Sequence, residues 1–146
     1  MLSLARFSIL MSLAGFGCSS IRAQQRRPDC ASMPYEDHNQ IDYGPLRVTS
    51  VRGTVKAVDN YPVFQACVGI FTEHGEKLLA TGAANEAGDF VIPSLPNGTY
   101  RLVTTSKGFC SANVVVVLKN KPHGKKKLIA VMKPSAVDVC SYIELE

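Results

Sequence analysis

Residues 81–109 read TGAANEAGDFVIPSLPNGTYRLVTTSKGF and contain the sharpest alternation of strand and turn signals in the chain. Phe90 and Ile92 stand two residues apart, and the same spacing recurs over residues 100–104. Successive side chains of a strand point to opposite faces, so both runs predict strands with one face toward a core. Between them, residues 95–98 are Leu-Pro-Asn-Gly, where proline suits the second position of a β-turn and Asn-Gly tolerates positive φ. The chain is therefore predicted to reverse there.

Two further turn signals frame this pair of strands. Residues 85–88, Asn-Glu-Ala-Gly, combine an Asx-type start with a final glycine, which predicts a second reversal just before Phe90. Gly108 and Phe109 interrupt the run that follows Tyr100. Three reversals within 29 residues leave no room for a helix.

The rest of the chain repeats this period of two and shows no helical period. Seven short strands are predicted in all, at residues 46–58, 63–71, 77–83, 90–92, 100–104, 114–118 and 128–132. Many short strands at close spacing predict an all-β protein in which two sheets are stacked as a sandwich.

In two of these strands, the sequence indicates that the face turned away from the main core is covered as well. The continuous β-branched run at 114–118 predicts a strand that is covered on both sides, by the N-terminal arm, by the C-terminal tail or by another molecule. In the strand at 63–71, Cys67 alternates with Ala66 and Val68. Cys67 is therefore predicted to point away from the main core, where a terminal segment cross-linked to it would cover it.

The first 23 residues resemble a secretory leader. Arg6 precedes an apolar stretch over residues 7–18, and Ala23 offers a small residue for cleavage before Gln24. The apolar stretch is short for a membrane span, so a permanent anchor is the weaker interpretation. A third alternative is cleavage before Cys18, which would then carry a lipid.

The composition divides the remainder into an arm, a domain and a tail. Residues 24–45 are polar and are predicted to be irregular, residues 46–133 form the sandwich domain, and residues 134–146 form a tail. The whole chain has a formal net charge of +4, which falls to +2 when Arg6 and Arg22 leave with the leader. A balance so close to neutral gives no support for nucleic acid as a partner.

The cysteines predict disulfide bonds. Beyond Cys18, four remain, at Cys30, Cys67, Cys110 and Cys140. An even number in an exported domain favours two disulfides and leaves three connectivities open. The favoured pairing joins Cys30 to Cys140, which ties the two ends together, and Cys67 to Cys110, which links two strands.

The sequence predicts no catalytic residue, metal site or cofactor. A metallocarboxypeptidase needs a His-x-x-Glu pair, yet no histidine here is followed three positions later by glutamate. His74-Gly75-Glu76 matches part of the zinc deaminase pattern but lacks the Cys-x-x-Cys that completes it, and a hairpin loop explains it better. Serine-hydrolase elbows, phosphate loops and calcium loops are also missing from the sequence.

Two groups of side chains are candidates for binding. One is a basic loop with lysines at Lys119, Lys121, Lys125, Lys126 and Lys127. It is interpreted either as an anion-binding loop or, as we favour, as a solvated hairpin whose charges protect the neighbouring strand from aggregation. No aromatic residues interleave with the lysines, which argues against nucleic acid. The other group comprises Tyr35, Tyr43 and Tyr61, whose exposed rings would suit a glycan.

The pattern over residues 88–102, G-x-F-x-I-x-x-L-P-x-G-x-Y-x-L, resembles the carboxypeptidase regulatory-like domain. Weaker matches at 51–55, V-x-G-x-V, and 66–70, A-x-V-x-I, extend the resemblance to about residues 48–132. It implies a transthyretin-like, or prealbumin-like, Greek-key sandwich that serves as a folding or interaction module without catalytic residues. The chain departs from the family in its four cysteines, in having the domain alone, and in carrying Asn85 where an acidic residue is common.

The resemblance and the missing chemistry together predict a function. We expect a non-catalytic module, secreted or periplasmic, for protein–protein interaction or structural support. The alternative is a carbohydrate-binding module of starch-binding-like shape. The expected partner is a protein or glycan outside the cytoplasm, and membrane contact is expected only if Cys18 carries a lipid anchor to the cell envelope.

Overall fold

The computed structural model describes residues 29–33, 44–120, 126–135 and 141–146. The predicted leader with Cys18, the tyrosines Tyr35 and Tyr43, the lysines Lys121 and Lys125, and Cys140 lie outside the described residues. After a 3₁₀ turn at Cys30–Ser32, the strands are β1 Leu46–Val48, β2 Val51–Ala57, β3 Cys67–Thr72, β4 Leu78–Ala83, β5 Asp89–Ile92, β6 Gly98–Thr105, β7 Ala112–Leu118, β8 Leu128–Met132 and β9 Tyr142–Leu145.

The strands form two stacked sheets, which confirms the all-β sandwich. The first sheet has the order β1-β7-β6-β3-β4, and the second has the order β5-β2-β8-β9. Most neighbours are antiparallel, whereas β1 runs parallel to β7 and β2 runs parallel to β8. All seven predicted strands are present in this Greek-key arrangement. The structure has two strands more than the sequence predicted.

The two additional strands lie at sheet edges. The predicted strand at 46–58 is divided by a bend at residues 49–50, which moves the chain from β1 in the first sheet to β2 in the second. The alternation of apolar residues continues through the bend. The sequence therefore predicted one strand where the chain changes from one sheet to the other. The C-terminal tail is also more regular than expected, because β9 pairs with β8 and inserts Ile143, 1% exposed, into the core.

The core lies between the sheets and follows the predicted alternation. In β3 and the residue before it, Ala66, Val68 and Ile70 are fully buried on the inner face. Leu102 on β6, in the same sheet, belongs to the same cluster of buried residues. Val55 on β2 joins this cluster from the opposite sheet. Complete burial of an aliphatic side chain of this size stabilises the fold by roughly 1.5–3 kcal/mol.

The connection between β5 and β6 differs from the predicted β-turn. The two strands belong to different sheets, so residues 93–97 cross between the layers instead of closing a hairpin. Positive φ falls at Ser94, 45°, and at neither Asn97 nor Gly98. Tyr100 stabilises the crossing by donating its hydroxyl to the carbonyl oxygen of Pro96 at 2.6 Å.

A second, smaller apolar cluster covers the outer face of the first sheet. Met33, Phe71 and Val103 are buried there, with Cys67 packed against them. The Cys30–Cys67 disulfide, with a Cα–Cα distance of 5.4 Å, holds the 3₁₀ turn over this cluster. The prediction that Cys67 faces away from the main core and is covered by a terminal segment is confirmed.

The favoured disulfide pairing was wrong. Cys30 bonds to Cys67 and therefore to neither of the other cysteines. Cys110 lies in the β6–β7 connection, where its Sγ approaches the carbonyl oxygen of Pro134 at 3.9 Å, and it is free within the described residues. Cys67 is not available to Cys110, because the 3₁₀ turn over the outer face of the first sheet places Cys30 against it.

Candidate functional site

The connection between β2 and β3, residues 58–66, carries several exposed apolar side chains. Val58 is 53% exposed, Tyr61 69% and Phe64 38%. These are three of the five large apolar side chains exposed within the described residues, and they fall within seven positions. Clustered apolar exposure of this kind marks interaction sites more often than isolated exposed residues do. We refer to residues 58–66 as the β2–β3 loop.

Backbone hydrogen bonds fix the β2–β3 loop against the sandwich. Ala57 N donates to Tyr61 O at 2.8 Å, and Val63 N donates to Val55 O at 3.0 Å. Val63 is buried, whereas its neighbours on either side are exposed. At the end of the loop, Gln65 N donates to Ala84 O at 3.0 Å. The exposed side chains are therefore carried on a backbone with a defined shape.

Two residues of the loop adopt the left-handed backbone conformation. Asn60 has φ 67° and Gln65 has φ 61°. Asparagine tolerates this region, while glutamine is strained there by an amount on the order of 1 kcal/mol. Strained backbone persists where the surrounding hydrogen bonds impose it, and it is concentrated at functional sites.

The described lysines of the basic loop lie at two strand ends. Lys119 directly follows β7, while Lys126 and Lys127 directly precede β8, and all three are exposed. Lys127 also lines a depression on the outer face of the second sheet, together with Arg52 and Asp89. The structure thus extends the basic character of the loop onto this sheet face, a feature that the sequence analysis missed.

The missed residues had only weak signals in the sequence. Val58 and Phe64 are apolar residues within a turn region, and such exceptions to a polar turn can indicate a binding surface. In the sequence, Arg52 is an ordinary outward-facing strand residue. It lies beside Lys127 only because β2 pairs with β8. The exposed position of Tyr61, expected from the sequence, is confirmed.

Among the described residues, no group of three or more His, Cys, Asp or Glu side chains is placed to hold a metal ion. Within the same ranges, no helix has the length and apolar character needed to cross a bilayer.

The sandwich is similar in shape to a known structure. Transthyretin from Sparus aurata superposes with a TM-score of 0.51 and 17% identity, over 67% of this chain and 97% of that chain. At this identity the likeness concerns the fold alone. No curated protein matches the chain significantly in sequence. Residues 50–126, more than half of the chain, match the carboxypeptidase regulatory-like domain, a non-catalytic domain family. The chain therefore belongs to the carboxypeptidase regulatory-like domain family.

Proposed function

We propose that this protein is a non-catalytic, exported β-sandwich module that binds another protein outside the cytoplasm through the β2–β3 loop. The observation that carries the proposal is the set of exposed apolar side chains at Val58, Tyr61 and Phe64 on a hydrogen-bonded backbone. The family supports a non-catalytic role, since its domains carry no catalytic residues.

The energetics of the loop suit a protein interface. Transfer of a valine or phenylalanine side chain from water to an apolar contact contributes roughly 1.5–3 kcal/mol when burial is complete. Tyrosine is enriched among the residues that dominate binding energy, since its ring is apolar and its hydroxyl can still form a hydrogen bond. Because the backbone of the loop is already held in place, binding loses little conformational entropy there.

The cysteine chemistry supports an extracytoplasmic location. The Cys30–Cys67 disulfide is of the kind that persists in oxidising compartments and is rare in the cytosol. The sequence pattern of residues 1–23, which resembles an export leader, also supports this proposal.

Site-specific photocrosslinking tests the proposed interface. A photoreactive phenylalanine analogue is placed at Tyr61 in the protein produced by its natural host, and at Leu79 in a matched control. Leu79 is also a large exposed apolar residue, 43% exposed, but it lies on β4 and outside the loop. We expect a discrete crosslinked species from position 61 and none from position 79.

The crosslinked protein is then purified and its affinity measured. Loss of the Tyr61 ring in Tyr61→Ala should weaken binding on the order of tenfold or more, as for an interface residue that contributes above 1.4 kcal/mol. Leu79→Ala should bind like the unaltered protein. Equal crosslinking at both positions, or turnover of a substrate by the purified protein, would contradict the proposal.

Carbohydrate binding is the second candidate function, and the exposed rings of Tyr61 and Phe64 favour it. Aromatic rings offer flat apolar surfaces against which the C–H face of a sugar can pack. A glycan array distinguishes the two functions. Binding to neutral glycans that is lost in Tyr61→Ala and Phe64→Ala would support the carbohydrate function, and an array without signal would remove it.

A further inference from the structure

A shallow depression lies on the outer face of the second sheet. It has a volume of about 150 Å³ and is lined by Arg52, Gly53, Asp89, Phe90, Val91 and Lys127. Pockets for drug-sized ligands occupy about 300–1,000 Å³, so this depression has room for a single ring-sized group.

Strand register brings its polar residues together. The antiparallel pairing of β2 with β5 places Arg52 opposite Val91. The parallel pairing of β2 with β8 places Gly53 opposite Leu128, so Lys127, one residue earlier, comes beside Arg52. Two cationic residues from distant parts of the sequence therefore line the same depression.

Arg52 lacks a partner for part of its guanidinium group. Its Nε is buried and has no hydrogen-bond partner within the described part of the chain. Because this Nε is closed to solvent, an oxyanion in the depression would be held by the terminal N–H groups of Arg52, through charge-assisted hydrogen bonds. The exposed ammonium group of Lys127 strengthens the attraction for an anion.

Asp89 gives the depression a second kind of recognition group. Its Oδ1 accepts a hydrogen bond from Thr54 Oγ1 at 2.8 Å, which holds the carboxylate toward β2. A carboxylate repels a second anion but accepts hydrogen bonds from hydroxyl groups. The depression also has an apolar side, because Val91 is 66% exposed. The matching ligand carries an anionic group, hydroxyl donors and an apolar face on one ring.

We infer that this depression binds an acidic saccharide through a uronic-acid-type residue. The sugar carboxylate accepts hydrogen bonds from Arg52 and Lys127, a ring hydroxyl donates to Asp89, and the C–H face of the ring lies on Val91. An acidic peptide offers carboxylates without adjoining hydroxyls, so it satisfies the cationic side alone. This inference does not depend on the β2–β3 loop, and either site can be tested without the other.

Titration calorimetry and NMR shift mapping on the full exported chain test the inference. The probes are methyl glucuronide, the neutral methyl glucoside, acetate and a hexaglutamate peptide. We expect methyl glucuronide to bind about tenfold more tightly than the glucoside or acetate, since it alone supplies both the charge-assisted and the hydroxyl hydrogen bonds. Shifts should centre on Arg52, Val91 and Lys127.

Matched variants identify the groups responsible. Arg52→Gln should weaken methyl glucuronide binding roughly tenfold, because a charge-assisted hydrogen bond is lost. Asp89→Asn should reduce the preference for methyl glucuronide over acetate, because the hydroxyl acceptor is weakened. Lys56→Gln removes another outward-facing charge from β2 beyond the depression and should leave binding unchanged. Thermal unfolding of each variant verifies that the fold is retained.

Three outcomes would overturn the inference. If acetate binds as tightly as methyl glucuronide, the site holds an adventitious ion only. If hexaglutamate binds more tightly than methyl glucuronide, the face recognises acidic peptides. If Lys56→Gln weakens binding as much as Arg52→Gln does, the attraction is a general electrostatic one without a defined site.

Discussion

At the scale of single residues, Asn85 organises the turn between β4 and β5. Its Oδ1 accepts hydrogen bonds from the backbone N–H groups of Ala87 and Asp89, both at 2.9 Å. Gly88 completes the turn with φ 80°. The predicted Asx-type reversal before β5 is therefore confirmed. The acidic residue common in the family can be replaced here by asparagine because either side chain supplies the accepting oxygen.

The first prediction concerns this acceptor. We expect Asn85→Ala to lower the free energy of unfolding by about 1–2 kcal/mol, because two N–H groups lose their partner and exchange it for water. Asn85→Asp retains an acceptor and should stay near the unaltered value. Urea unfolding followed by circular dichroism measures both. Equal stability of the alanine and aspartate variants would show that the side-chain oxygen does not hold the turn.

A second prediction concerns the hydroxyl of Tyr100. Tyr100 is 8% exposed, and its hydroxyl donates to Pro96 O at 2.6 Å. Tyr100→Phe keeps the packing and removes the hydrogen bond, so we expect a loss of about 1 kcal/mol in unfolding free energy. Tyr61→Phe is the control, since Tyr61 is 69% exposed and should contribute little to stability. Chemical denaturation of the pair checks the difference, and identical midpoints would refute it.

At the scale of elements, the approach of β2 to β8 requires glycine. A Cβ built on Gly53 would lie 1.8 Å from the backbone oxygen of Leu128 and 2.7 Å from its carbonyl carbon. Real atoms cannot approach so closely, and the obstacle is backbone, so the two parallel strands would have to separate. Since β2 is a central strand of its sheet, the disturbance would reach its other neighbour, β5.

We therefore expect Gly53→Ala to destabilise the protein by roughly 3 kcal/mol or more, as overpacking against a rigid neighbour does. Gly98→Ala is the matched control, because the atoms nearest to its added Cβ belong to the Tyr100 side chain and not to a backbone, at 3.3 Å or beyond. Thermal and urea unfolding report both variants. A Gly53→Ala protein as stable as Gly98→Ala would mean that β2 and β8 are not joined in this register.

The edge strands β1 and β9 show that a strand pattern in the sequence does not reveal the pairing partner of the strand. β1 pairs with β7 from Leu46↔Val116 onward and thereby covers an edge of the first sheet. β9 does the same for β8 in the second sheet. Both segments have the alternation of a strand, but alternation alone does not say which sheet a strand joins. The sheet that each of these strands joins depends on which sheet edge is open to it in the folded protein.

At the scale of the whole molecule, the Cys30–Cys67 bond attaches the N-terminal arm to the sandwich. It closes a loop with a sequence separation of 37 residues and holds Met33 over Phe71 and Val103. The chain-entropy estimate for such a loop is about 4 kcal/mol. We expect the double variant Cys30→Ser, Cys67→Ser to lose stability on this order in urea unfolding. Reductant should lower the stability of the double variant less than that of the unaltered protein, whereas a reductant that leaves the unaltered protein's stability unchanged would contradict the expectation.

The second predicted disulfide stays a prediction. Cys110 and Cys140 are the remaining pair, and Cys140 lies outside the described residues. The neighbouring Ser141 donates its Oγ to the carbonyl oxygen of Cys110 at 2.7 Å. We expect peptide mapping of the exported protein without reductant to recover a Cys110–Cys140 peptide as well as the Cys30–Cys67 peptide. Recovery of Cys110 as a free thiol would disprove the second bond.

Much of the fold could be predicted from the local alternation of apolar and polar residues, whereas the candidate sites could be predicted only in part. The alternation around Phe90 and Leu102 predicted buried faces, and both residues are buried. Tyr61 was expected to be exposed and is. The depression at Arg52 escaped prediction because its second cation, Lys127, arrives through β8, far along the chain. The disulfide pairing was missed because it depends on which sheet face each cysteine occupies.

The order of apolar and polar residues by itself determined that this chain forms strands, that they stack as a sandwich, and which side chains enter the core. These features follow from a period of two that acts within a few neighbouring residues. Only the tertiary structure decided that Cys30 meets Cys67, that β1 and β2 belong to different sheets, and that Arg52 and Lys127 share one surface. Such contacts join distant segments, and strand pairing and sheet packing set them across the whole molecule.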